Sequence, residues 1–274
     1  MSKKKQKEEA AVHFMQGKKA YEAGNVEDTY NELNKALEFY RHTTEHVILA
    51  DIQRILGAIY FNKGKMIESR NLYKRAYLAF KNYGHRIGMA DCYDEIAISF
   101  MLQNELKYAE EYQTKALKLR KGTPDKKGLA RGLKNLAIIV YKKDDDAEKA
   151  IGMLEEALEL AKKCKDPQLV INIAIDQSKI LNKMGKYDDA MKSFVIARRF
   201  SKQFSFKLPD DHEEEFGDLL LNLGLKKYDE GNLEEALKYL KNALLVFKST
   251  NNSLLETVEP TILKIEQLMN KNNE

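Results

Sequence analysis

Apolar residues recur along this chain three and four positions apart, and the phase of that pattern restarts about every forty residues. The restarts fall at short polar turns that resemble one another: EAGNVEDT at 22–29, NKGKMIES at 62–69, KMGKYDDA at 183–190 and DEGNLEEA at 229–236. Taking the turn glycine, or the residue in its place, gives Gly24, Gly64, Asn104, Asp145, Gly185 and Gly231, at steps of 40, 40, 41, 40 and 46. A near-constant step of this size predicts an array of similar units. Upstream of each mark the pattern predicts a helix, here called A: QGKKAY (16–21), LGAIY (56–60), IAISF (96–100), LAIIVY (136–141), QSKIL (177–181) and LGLKKY (223–228).

Downstream of each mark a second amphipathic helix, B, carries alanine on one face: Ala36, Ala76, Ala109 with Ala116, Ala150 with Ala157, Ala190 with Ala197, and Ala236 with Ala243. Paired alanines seven apart lie two turns along one ridge, where small side chains let a neighbouring helix approach closely. Tyr73, Leu154, Phe194 and Leu240 stand three residues before the later alanine and are placed to fill the gaps between ridges.

A small residue, an aromatic, a turn glycine and then alanine, large apolar, alanine is a pattern that resembles the tetratricopeptide repeat. LGAIYFNKGKMIESRNLYKRAYLAF (56–80) and LGLKKYDEGNLEEALKYLKNALLVF (223–247) carry it most fully. The motif's first tryptophan is replaced by Gln53, Tyr93, Leu133, Ala174 and Leu220. The step exceeds the repeat's usual length of about 34 residues, which implies longer helices. The long form resembles the repeats of Leu-Gly-Asn (Pins-type) scaffolds and of Rap-type regulators. The fold this implies is all-α: a right-handed superhelical solenoid of about six helix-turn-helix repeats with a C-terminal capping helix.

The boundaries that follow are a charged flexible N-terminus at 1–9, repeats at 10–250, and a capping helix with a frayed end at 251–274. Pro124, Pro167 and Pro209 fall between a helix B and the next helix A, where proline is tolerated at a helix start. FSFKLPDDHEEEF (204–216) is a longer connection expected to bend the stack, and Pro260 is expected to kink the cap.

Composition narrows the functional classes. The 46 basic and 42 acidic residues are interleaved, for a net charge of +4, which disfavours a dedicated nucleic-acid binder. No apolar run approaches the roughly 20 residues of a membrane span, and MSKKKQKEE is not followed by the apolar stretch of a secretory signal. Cys92 and Cys164 supply neither a disulfide framework nor a four-ligand zinc site, which fits a reducing, cytoplasmic setting. His42 and His46 stand four apart without a third ligand, and the acids at 144–146 lack a calcium-loop arrangement. Nucleotide-binding glycine motifs and G-x-S-x-G are missing, so the chain reads as non-enzymatic, with no cofactor and no metal.

The resemblance implies that helix A lines a concave groove, and the polar residues there become the candidate contacts for a partner. Repeat two supplies Arg54; repeat three, Asp91 and Asp94 beside Glu95; repeat four, Arg131, Lys134 and Asn135; repeat five, Asn172, Lys179 and Asn182. This predicts an acidic zone next to a basic, amide-rich one, and amides can pair with both backbone groups of an extended peptide. The basic clamp by which some such domains hold a chaperone tail is not matched, since Asp91 and Glu95 stand in its places. The function implied is a scaffold that binds a protein or peptide; self-association stays open. A second reading is a peptide sensor resembling the Rap-type regulators. It is ranked lower because the array begins near residue 10, leaving no room for their N-terminal bundle or helix-turn-helix.

Overall fold

The computed structural model describes residues 2–206, 208, 211–250 and 253–271, with the side chain of residue 211 left aside. They form thirteen α-helices in the order α1 (Lys3–Glu22), α2 (Val26–Tyr40), α3 (His46–Asn62), α4 (Met66–Asn82), α5 (Arg86–Leu102), α6 (Leu106–Arg120), α7 (Lys126–Asp144), α8 (Ala147–Lys163), α9 (Pro167–Lys183), α10 (Tyr187–Phe204), α11 (Asp211–Asp229), α12 (Leu233–Thr250) and α13 (Leu255–Lys271). The first twelve alternate as helices A and B, and α13 follows as the additional helix. The chain divides into two compact units, Met1–Asp144 and Asp145–Glu274, so that α7 closes the first and α8 opens the second.

All six turn marks have a left-handed backbone: φ is +74° at Gly24 and Gly64, +59° at Asn104, +53° at Asp145, +73° at Gly185 and +79° at Gly231. Such a residue lets the helix end on a doubled hydrogen bond. The N–H of Asn25 reaches the carbonyl of Ala20 at 2.9 Å while that of Gly24 reaches Tyr21 at 3.0 Å. The same pair recurs after α3, where Lys65 bonds to Tyr60 at 2.9 Å, and after α11, where Asn232 bonds to Lys227 at 2.9 Å. The residue after the mark then opens the next helix. Asn25 and Asp146 accept the N–H of Asp28 at 3.1 Å and of Lys149 at 3.0 Å.

In the first unit α1–α2, α3–α4 and α5–α6 are hairpins stacked in sequence, with α7 laid on α6 and touching α5. The predicted alanine ridge holds, since Ala36, Ala76, Ala109 and Ala116 are fully buried. In the first two repeats Thr29 and Ser69, also fully buried, take the earlier alanine position, and Ser69 donates its hydroxyl to the carbonyl of Gly57 at 2.8 Å. Tyr93, at one of the motif's tryptophan positions, stacks on Tyr77 with centroids 4.4 Å apart and meets the edge of Tyr112 at 5.5 Å.

In the second unit α9–α10 and α11–α12 are hairpins, α8 packs on α9, α10 on α11 and α13 on α12. Ala150, Ala157, Ala190, Ala197, Ala236 and Ala243 are fully buried. Val258 and Ile265 of α13 complete the apolar cluster of Leu240, Ala243 and Phe247, so the added helix covers the last hairpin.

One expectation changes at the N-terminus. Residues expected as a flexible start are helical from Lys3, capped by Ser2 accepting the N–H of Lys5, although every side chain from Ser2 to Glu9 is exposed. Pro167 opens α9 behind an Asp166 cap, as its position suggested, and α13 continues as helix through Pro260. Pro209, with residues 207 and 210 of the longer connection, lies outside the described residues.

Candidate functional site: the polar face of the A helices

Neighbouring A helices in each unit meet through polar side chains about forty positions apart. In the first unit Arg131 of α7 places Nη2 at 3.2 Å from Oδ1 of Asp91 on α5. In the second, the Asn222 amide of α11 donates to Oδ1 of Asn182 on α9 at 3.0 Å.

The first unit brings three of the expected residues together and adds one that the sequence did not single out. Arg120, the last residue of α6, has none of its side chain exposed. Its Nη2 lies 2.5 Å from Asp91 Oδ1 and 2.8 Å from Asp94 Oδ2, and its Nε donates to Asp125 Oδ2 at 2.8 Å. Asp125 in turn accepts the N–H of Gly128 at 2.8 Å and so caps α7. Burial works to raise the Asp125 carboxyl, but the Gly128 N–H and the Arg120 guanidinium outweigh it and hold the carboxyl below its ordinary value. Arg131 lies above this network, 3.4 Å from Asp94 Oδ2.

Asp94 is therefore not the open groove residue that the sequence suggested. It is fully buried, and besides the two arginines it accepts the Gln113 amide at 2.7 Å. Burial pushes its carboxyl up, against the pull of Arg120 and Arg131. The physical reason lies in repeat three: Gln113 occupies the register that holds Leu33, Tyr73, Leu154, Phe194 and Leu240 elsewhere, so a polar residue stands in a core position and Asp94 satisfies it. Arg131 bonds directly to the acids of repeat three, so the opposed charges meet where repeats three and four adjoin.

The remaining candidates of the first unit are Arg54, half-exposed and 3.8 Å from Asp51, Lys134, half-buried, and Asn135, 6% exposed. In the second unit Asn172 accepts the Gln168 amide at 3.1 Å, Lys179 lies 3.2 Å from Glu215, and Asn182 holds Asn222. The cluster expected from Arg131, Lys134 and Asn135 together with Lys179 and Asn182 is divided between the units, each carrying its own part. Among the described residues, no group of three or more His, Cys, Asp or Glu is placed to hold a metal ion, and no helix is long and apolar enough to cross a membrane.

Arg120 was hidden because a lone arginine at the end of an amphipathic helix reads as solvated. A signal did exist in Gln113, the polar residue at an otherwise apolar register.

Paired helices closed by left-handed turns and packed through alanine ridges have the fold of tetratricopeptide-type repeats. Residues 48–122 match the tetratricopeptide repeat family model. Among curated proteins, the human protein O-mannosyl-transferase TMTC1 is 22% identical over 221 residues, which is 81% of this chain, and the chain spans only 22% of that protein's length. Among solved structures, a STAND-family signal transduction ATPase with a tetratricopeptide repeat sensor from Pyrococcus horikoshii aligns with TM-score 0.71 and 16% identity, covering 95% of this chain and 39% of that one. A Rap protein complexed with competence and sporulation factor aligns with TM-score 0.63 and 14% identity, covering 96% and 76%.

Proposed function

We propose that the chain is a non-enzymatic, cytoplasmic protein-interaction module whose A-helix face takes a peptide or helix of a partner. The observation that carries this reading is the ordered row of polar A-helix side chains. Arg54, Asp91, Arg131, Lys134 and Asn135 stand on one unit, and Asn172, Lys179 and Asn182 on the other, on helices whose spacing is set by a buried core. Side chains held in fixed register need little further ordering on binding, which favours affinity at low entropic cost.

Asn135 gives the sharpest test. Its amide nitrogen is buried without an acceptor among the described residues, so removing the amide costs the free protein little, whereas a bound peptide backbone would lose a partner. Panning a phage-displayed library of random dodecapeptides on the full chain supplies probes, whose binding is followed by fluorescence anisotropy. The variant Asn135→Ala is expected to weaken the selected peptides by about tenfold with little change in thermal midpoint. Undiminished binding would remove this face from the proposal.

A second reading, a regulator that changes shape on binding a signalling peptide, is favoured by the fold likeness to a Rap protein crystallised with such a factor. Small-angle scattering dimensions that stay constant on adding a selected peptide would count against it.

A further inference from the structure

The polar floor of the first unit carries more negative charge than its arginines balance. Asp51, Asp91, Asp94, Glu95 and Asp125 stand against Arg54, Arg120 and Arg131. Four of the five carboxylates have an arginine within ion-pair distance, from 2.5 Å for Asp91 with Arg120 to 3.8 Å for Asp51 with Arg54. Glu95 is the exception: it is half-buried, and no hydrogen bond or ion pair reaches it among the described residues. Burial raises its carboxyl above the ordinary value; Arg131 and Arg54 pull it down from a distance, and Asp94 and Asp91 push it further up.

A second, independent feature stands at the same level. One helical turn beyond the Arg131–Asp91 pair, at 3.2 Å, Asn135 follows on α7 and Glu95 on α5. Asn135 is 6% exposed, and its amide nitrogen has no acceptor. A half-turn of the terminal torsion exchanges the nitrogen and oxygen of that amide, so a donor can be presented to either side. An unpaired acid and an unused amide donor on adjacent helices are what a positively charged side chain and a neighbouring backbone carbonyl would complete.

We propose that Glu95 seats a lysine or arginine side chain of the bound peptide, with Asn135 holding the peptide carbonyl beside it. The proposal rests on the peptide-binding reading above and adds the chemistry of one position. A guanidinium or ammonium arriving at Glu95 forms a charge-assisted hydrogen bond and offsets the local surplus of carboxylates. An acidic side chain at that position meets Asp91, Asp94 and Glu95 together and is rejected, so the seat discriminates as well as attracts.

The test uses the selected dodecapeptides and the full chain. The peptides are expected to share a basic residue, and its replacement by glutamate is expected to weaken binding to the wild type by about tenfold or more. Glu95→Gln, equal in size and neutral, is expected to remove that sensitivity, so that the parent and glutamate peptides bind the variant within about twofold of each other; circular dichroism verifies its helix content. Selected peptides with no shared basic residue, or a preference that survives in Glu95→Gln, would overturn the seat and leave the groove reading standing. Failure of the library to yield any binder would overturn both.

Discussion

At the scale of single residues, the first unit is organised around Arg120. A guanidinium with none of its side chain exposed is tolerable only because Asp91, Asp94 and Asp125 surround it, and its planar set of donors can serve three carboxylates where a lysine would present a point charge. It joins α6 to α5 through Asp91 and Asp94, and to the cap of α7 through Asp125. Arg120→Met would leave those acids desolvated without their cation. Its expected cost is roughly 3–5 kcal/mol, read from the shift of the urea unfolding midpoint at neutral pH. A loss below about 1 kcal/mol would mean that the network is relieved by water and does not organise the unit. The polar face was legible to the extent that Asp91, Asp94 and Arg131 were singled out, but not their relationship, since periodicity places residues on faces and says nothing of which opposite charges will neutralise each other across a register of forty. Asp94 was misplaced for a related reason: an acid on the face of an A helix reads as solvated unless its partner, here Gln113, is recognised as a polar intruder in the core.

Among the helical elements, legibility depended on how strictly geometry repeats. The A-to-B turns could be located because each needs a left-handed residue at one fixed place, and that place holds glycine, asparagine or aspartate. The turns from B to A contain left-handed residues too, at Gly84, Gly122, Lys165 and Ser205. Their spacing is uneven and two of them are neither glycine nor asparagine, so no pattern announced them. Close packing follows the same local logic and gives opposite signs to one substitution. A Cβ added at Gly224 of α11 would lie 2.7 Å from Cγ and 2.8 Å from Cδ2 of the fully buried Leu240, and 3.3 Å from its backbone nitrogen. Gly152, exposed on α8, would meet nothing within 4 Å. Gly152→Ala is therefore expected to stabilise by about 1 kcal/mol through helix propensity alone. Gly224→Ala gains the same propensity but incurs an overpacking cost of roughly 1–3 kcal/mol, for a net destabilisation of about 1 kcal/mol. Chemical denaturation of both variants decides it; equal shifts of the same sign would show that the A–B interface yields to an extra methyl group.

For the molecule as a whole, the buried and paired carboxylates impose a pH dependence with two limbs. Glu32, Asp125, Glu159 and Asp188 are held below their ordinary values. Glu32 accepts from Lys35 and His13, Glu159 from Lys162 and Asp188 from Lys226; at Asp125 burial is overcome by the Gly128 N–H and Arg120. Each of these is an acid more readily ionised in the folded chain, so its contribution is present above its unfolded value and lost as pH falls through the folded one, which places the loss below about pH 4. Asp94, Glu95 and Asp218 move the other way, each raised first by burial. For Asp218 the charges of Glu215 and Glu214 add to the rise, and its Oδ1 is buried without a partner among the described residues. An acid raised in the folded state binds protons more tightly there, so it favours folding at low pH and opposes it as pH climbs through the folded value. Acidification from neutrality should first stabilise the protein as these three take up protons, and then destabilise it as the paired acids lose their charge. The urea midpoint is expected to rise as pH falls from neutrality toward the ordinary carboxylate range, and to collapse below about pH 4. Glu95→Gln should lose part of the first rise while keeping the acid collapse, because it removes one raised carboxyl and none of the lowered ones. A midpoint that declines steadily from neutrality downward would show that the buried carboxylates stay ionised throughout.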